Sequence, residues 1–210
     1  AAAMAWDRPR MILHITRHGH VFPAEPGESE NTDYRREDPS LSRLGREQAL
    51  LLGKRLRKLG FDGRIYSSPY RRSIETAQII AEVVDTEVAP EARFREYVNL
   101  EDNMTGFRGA TGHELRAEFS RVRVGTQFPD LWWTSTAETG EDVEARVASL
   151  VDELADASSD ALLVGHGATL VGATRHVLRN FAPARLNEQP PGWNCALTSF
   201  QMSPVFQVIQ

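Results

Sequence analysis

Ile12-Leu13-His14-Ile15-Thr16 carries no Asp, Glu, Lys or Arg and runs straight into Arg17-His18-Gly19. β-Branched residues favour strands, and a glycine lets the chain turn sharply where it leaves a sheet. Met11 to Thr16 therefore reads as a buried strand with Arg17 and His18 at its C-terminal end. Open α/β sheets bind ligands outside those strand ends. Imidazole can act as a nucleophile, and a guanidinium is the natural fork for a phosphate.

The unit recurs along the chain. Leu44, Leu51, Leu52, Leu56 and Leu59 fall at helical spacing, so a helix is predicted over 41–59, capped by Ser42 and ended by Gly60. Arg64 to Ser67 is a short strand, and Ser68-Pro69 opens a helix to about Val84, with Ile74, Ala77, Ile79, Ile80, Val83 and Val84 on its apolar side. A short strand is expected over Glu87 to Ala89. Thr111-Gly112-His113-Glu114 has capping-box spacing and predicts a helix to about Val122. Another helix opens at Thr139-Gly140-Glu141-Asp142. Ala161-Leu162-Leu163-Val164 is apolar throughout, as a central parallel strand requires, and a helix follows from about Thr169 to Leu178. Cys195 to Met202 and Val205 to Ile209 read as a closing strand pair. This alternation predicts an α/β fold with a mostly parallel central sheet and helices on both faces.

Charge and cysteine content narrow the partners. Lys and Arg total 24 against 29 Asp and Glu, a net charge of -5. A mildly acidic chain argues against a nucleic-acid surface, so positive charge must act locally, in a site. Cys195 stands alone, which rules out an intrachain disulfide and fits a reducing, cytoplasmic setting. Neither a bilayer-spanning run nor a secretory segment is found, and no membrane partner is expected. Ala1-Ala2-Ala3 ahead of Met4 reads as a tag remnant, so residues 1–10 are left out of the fold. The 210 residues suit one domain, and its oligomeric state is left open.

Three strand-to-helix junctions carry unusual residues: Arg17-His18, Ser67-Ser68-Pro69-Tyr70-Arg71-Arg72, and Gly165-His166-Gly167. Parallel strands would open all three at one sheet edge. Helix N-termini there add unpaired N–H groups and partial positive charge. The sum describes a phosphate pocket.

Arg17-His18-Gly19, the Ser67-Ser68-Pro69 turn leading to Arg72 and Thr76-Ala77, and Gly165-His166-Gly167 resemble the histidine phosphatase superfamily across about Met11 to Leu178. The resemblance implies a three-layer sandwich with a small helical insertion, about 97–135, over the site. It implies that His18 is phosphorylated and that Arg17, Arg72 and His166 clamp the phosphoryl group. A carboxylate acid/base is implied between the second and third motifs, where Glu96 stands. The glycine and tryptophan that usually follow this glutamate are missing, which leaves Glu101 as a rival. No metal or cofactor is implied, and the substrate would be a phosphorylated small molecule or phosphoprotein.

The expected function is a phosphomonoesterase. A phosphoglycerate mutase is the alternative, but His20-Val21-Phe22-Pro23 replaces the mutases' Glu-Ser and Trp-Asn. A non-catalytic phosphate-binding protein is a further reading. A metal site at His14, His18 and His20 is opposed by Arg17 beside it. His14 is expected to be hydrogen-bonded in the core. His20, His113 and His176 are expected at the periphery, and Arg71 at the surface unless the register is off by one. Arg35 and Arg36 of the long 21–39 loop could overhang the site. Phe107, Phe119, Phe128, Trp132 and Trp133 either pack the insertion or favour a bulky leaving group.

Overall fold

Alternation of side chains along each strand decides the layers. Leu13, Ile15, Ala161 and Leu163 face one helical layer, and Ile65, Leu162 and Val164 face the other. A computed structural model of the chain describes residues 11–21, 38–98, 107–134, 136–155, 157, 159–203 and 207–209. Its strands are β1 (Met11–Arg17), β2 (Arg64–Ser67), β3 (Val88–Pro90), β4 (Ala161–Gly165), β5 (Leu197–Ser203) and β6 (Gln207–Ile209). Its α-helices are α1 (Arg43–Lys58), α2 (Arg71–Val84), α3 (Gly112–Glu118), α4 (Gly140–Ala155) and α5 (Gly167–Phe181).

The sheet order is β3-β2-β4-β1-β5-β6. The first four strands are parallel, and β5 and β6 add an antiparallel edge. Every residue of β4 is buried, as its uninterrupted apolar run requires. Arg17 pairs with Gly165 and Ser67 with Val164, so the three junctions emerge in register at one edge. One layer packs α4 and α5 through Val147, Leu150, Leu170 and Val177. The opposite layer packs α1, α2 and α3 through Leu56, Ile74, Ile80 and Leu115. Among the described residues, no helix is long and apolar enough to cross a membrane.

Several boundaries and faces differ from expectation. Helix α1 buries Gly45, Ala49, Leu52, Gly53 and Leu56, whereas Leu44, Leu51 and Leu59 are exposed. Leucine spacing overstated that stripe because a helix–helix seam favours small residues where backbones approach. Ser42 does cap α1, accepting from Gly45 N–H, and Gly60 ends it with φ +79°. Helix α3 has the expected reciprocal Thr111–Glu114 cap but stops at Glu118. Beyond it, Arg121 accepts from Val88 N–H and Arg123 N–H donates to Val88, so this stretch covers the β3 edge instead of continuing the helix. Helix α5 starts two residues earlier than predicted, directly after His166. Residues 99–106, which include Glu101, and the loop carrying Arg35 and Arg36 lie outside the described residues.

Candidate active site

Gly19 follows β1 with no left-handed backbone; among the described glycines only Gly60 has a positive φ. Space is the reason for glycine here. A Cβ on Gly19 would lie 2.6 Å from the Gly45 carbonyl oxygen, and one on Gly45 would lie 2.0 Å from that of His20. The two glycines let the first turn of α1 dock against the turn after His18. Thr76 Oγ1 accepts from Gly19 N–H at 3.0 Å and donates to the Arg72 carbonyl at 2.7 Å, joining the first junction to α2.

His18 is buried, and its Nδ1 lies 2.8 Å from its neighbour Gly19's carbonyl oxygen. A carbonyl only accepts, so Nδ1 carries the proton and Nε2 keeps its lone pair. Burial, then His166 and Arg72, hold this imidazole well below its ordinary pKa. At neutral pH His18 is an uncharged base, and among the described residues Nε2 has no hydrogen-bond partner.

Helix α2 aims Arg72 inward and Arg71 outward. Arg71 pairs with Glu118 at the surface, and its backbone N–H donates to Asp38. Arg72 is buried, with Nη2 3.3 Å from Glu96 Oε2 and 3.3 Å from His166 Nδ1. Its Nη1 lies 3.6 Å from Asp38, and its guanidinium sits 4.5 Å over the Tyr70 ring. Arg17 is half-buried and donates from Nη1 to the Gly192 carbonyl at 3.0 Å. Its Nε is buried and has no hydrogen-bond partner among the described residues.

His166 is fully buried at the head of α5, its ring 5.2 Å from that of His18. Nε2 meets Ser68 Oγ at 2.7 Å, and Nδ1 meets Glu96 Oε2 at 3.1 Å. Burial pushes it down to about 4, against the pull of Glu96. Glu96 follows β3 and the short 3₁₀ turn Ala92–Phe94. Burial raises its pKa, but His166, Arg72 and the Tyr97 N–H outweigh that and hold the carboxyl well below the usual range.

The backbone carrying Glu96 is fastened by a residue that the sequence reading did not single out. Arg146 of α4 donates to the carbonyls of Arg93 at 2.7 Å, Arg95 at 3.0 Å and Glu96 at 3.4 Å. Its remaining fork holds Glu138 at 2.8 and 3.1 Å, and Glu138 also accepts from Arg95 at 2.6 Å. Asp38, Asn194 and Ser73, whose Oγ lies 3.4 Å from His166 Nε2, were missed as well. Asn194 Nδ2 donates to the His18 carbonyl at 2.7 Å. A buried aspartate ending a charged loop carries no local signal, because its partners Arg71 and Arg72 lie on another element.

Other histidines stand apart from this cluster. His14 is buried and bonded to Ser199 at 2.7 Å, and His20 meets Ser42 at 3.0 Å. His113 is exposed, and His176 meets Asp152 at 2.6 Å on the outer face of α4 and α5. The alternating trio His14, His18 and His20 is therefore not a ligand set. A different trio, His18, Glu96 and His166, does bring one donor atom each within 4.8 Å of one another. Arg72 lies against two of its members and repels a cation there. Trp132 is buried and donates to the Ala110 carbonyl at 2.7 Å, and with Phe107 it packs on Tyr70. Burial pushes the Cys195 thiol up to about 12, so it is no nucleophile at neutral pH.

Comparison with known proteins agrees with this geometry. A family model described as the histidine phosphatase superfamily (branch 1) matches residues 13–209. A putative phosphoserine phosphatase 2 of Hydrogenobacter thermophilus is 29% identical over 159 residues, covering 75% of this chain and 74% of that protein. A probable phosphoglycerate mutase GpmB of Citrobacter koseri is 28% identical over 200 residues, covering 86% and 89%. Among solved structures, the ecdysone phosphate phosphatase of Bombix mori with tungstate superposes with a TM-score of 0.74 at 23% identity, covering 96% of this chain and 92% of that one. A mycobacterial glucosyl-3-phosphoglycerate phosphatase gives 0.60 at 23% identity, covering 95% and 98%. At such identities these superpositions establish the fold.

Proposed function

This chain belongs to the histidine phosphatase superfamily, and from that premise we propose that it is a metal-independent phosphomonoesterase working through a phosphohistidine on His18. The observation that carries the reading is the state of His18: neutral, with Nδ1–H committed to Gly19 and Nε2 free, among Arg17, Arg72 and His166. Nε2 attacks phosphorus in line. The N–P bond forms as the ester P–O bond breaks, while Arg17, Arg72 and His166 take the equatorial oxygens. Glu96 gives its proton to the departing oxygen. It then takes a proton from the water that cleaves the N–P bond and restores His18. The two cationic side chains supply the charge stabilisation that a metal supplies elsewhere.

A phosphoryl dianion entering this cluster meets Glu96 already on Arg72 and His166. Like charge resists a second ionisation, so the dianion raises the Glu96 pKa and leaves it protonated as the acid. The chain reads as a single domain over 1–210, with the segment of about 97–135 as a cap beside the site. The substrates named for its relatives and structural neighbours are phosphorylated small molecules, which supports that class for this chain over phosphoproteins. The mutase reading draws only on the name of one group of relatives.

The test is hydrolysis of p-nitrophenyl phosphate in EDTA, with rapid quenching to trap acid-labile, base-stable phosphate on His18. His18→Ala should abolish both turnover and labelling. Arg72→Ala should cost about a hundredfold, whereas Arg71→Ala, at the surface, should cost little. Activity lost in EDTA and restored by one divalent metal would overturn the mechanism. Interconversion of phosphoglycerates without net hydrolysis would favour the mutase.

A further inference from the structure

The loop closing the β5 side of the site carries a tryptophan in water. Trp193 is 81% exposed, the most exposed large hydrophobic among the described residues. Single exposed aromatics are ordinary; the tether of this one is not. Immediately before it, the Gly192 carbonyl accepts from Arg17 Nη1 at 3.0 Å. Immediately after it, Asn194 Nδ2 donates to the His18 carbonyl at 2.7 Å, and Cys195 N–H donates to the Arg17 carbonyl at 3.1 Å. The Trp193 carbonyl itself accepts from Ala196 N–H at 3.2 Å. Pro190 and Pro191 stiffen the approach, since each ring fixes φ. Both chain neighbours of the indole thus hold the nucleophile or the phosphate clamp, and its backbone is as fixed as theirs.

We propose that Trp193 is a platform for the leaving group, selecting phosphate esters of neutral alcohols that carry an apolar ring; this rests on the phosphatase reading above. Arg17, proposed to bind the phosphoryl group, is bonded to Gly192, so Trp193 stands one residue from that contact. Residues 189–196 bear no charge, and Glu188 is already paired with Arg185. The loop therefore offers no charge to pair with an ammonium or carboxylate on a leaving group such as serine. A flat indole face does suit a ring. The other aromatics beside the site, Phe107 and Trp132, are spent on packing against Tyr70. A membrane is a poorer match, because lipid-binding loops add basic residues and this one has none.

The experiment compares cyclohexylmethyl phosphate with ethyl phosphate, two primary alkyl esters of similar leaving-group basicity, in wild type, Trp193→Ala and Trp193→Phe. The readout is the ratio of kcat/KM for the ring ester to that for the ethyl ester. Trp193→Ala should lower this ratio about fivefold, chiefly through KM, and Trp193→Phe should restore most of it. An unchanged ratio in Trp193→Ala, with both esters still hydrolysed, would overturn the platform and leave the phosphatase reading intact. So would an unchanged ratio together with loss of sedimentation on phosphatidylcholine vesicles, which would assign the indole to a lipid surface. Failure of the wild type to hydrolyse either ester would overturn the phosphatase reading and this inference with it.

Discussion

Glu96 Oε2 lies 3.1 Å from His166 Nδ1, so the carboxylate proposed as the acid rests on a group proposed to bind the phosphoryl oxygens. His166 is fully buried, whereas the Glu96 side chain is 32% exposed. The glutamate is the partner with room to move. An incoming dianion competes with it for His166 and Arg72 and favours protonation of the pair, which titrates as a unit. Binding of sulfate, a tetrahedral anion already fully a dianion near pH 6, should therefore take up a proton. Calorimetry in two buffers of different ionisation enthalpy measures this. Glu96→Gln should reduce the uptake, and its absence in the wild type would contradict the acid role.

The same burial sets the acid limit of stability. His18 and His166 are held below 6.5 in the folded protein, His166 at about 4, and return to the ordinary value when it unfolds. Between those values the unfolded chain binds more protons, so stability is full above pH 6.5 and falls as the pH drops towards 4. Glu96, also depressed, adds a further loss below about its unfolded value of 4.5. Tm measured from pH 8 to 4 should decline from about 6.5 downwards. His166→Asn should flatten that decline; an equally steep one would show that other groups set it.

Arg146 touches no reacting atom yet holds three carbonyls of the segment bearing Glu96. Arg146→Lys keeps the charge and loses the planar fork. Turnover of alkyl esters, which need a proton on the leaving oxygen, should fall about tenfold or more. Turnover of p-nitrophenyl phosphate should fall much less. Equal losses on both would mean that Arg146 supports the fold without positioning the acid.

Gly45→Ala should destabilise the protein by several kcal/mol, because its Cβ would meet the backbone oxygen of His20 at 2.0 Å. Gly60→Ala meets nothing within 4 Å and bears only the strain of φ +79°, about 1 kcal/mol. Denaturant unfolding of the two variants compares them. A Gly45→Ala loss no larger than that of Gly60→Ala would mean that α1 does not depend on this close approach.

The alternation of strands and helices, the Thr111 and Ser42 caps and the three junction motifs were legible because each is written within a few consecutive residues. Period-two and helical patterns report which faces are buried, and parallel strands then bring Arg17, Arg72 and His166 to one edge. The reading failed where packing partners are distant in sequence. Leucine spacing on α1 could not reveal that Gly45 faces the His20 backbone and Gly53 faces Val83 and Ile80 of α2 while Leu51 is left in water. That Arg72 turns inward and Arg71 outward shows only with Glu96 and Glu118 in place around them. Arg146, Asn194 and Trp193 had no motif, since each meets the site from another element or loop. Local sequence determined which groups stand at the strand ends. Tertiary contacts decided their protonation, because burial and neighbouring charge, which hold His18 neutral and Glu96 ionised, exist only once the layers close.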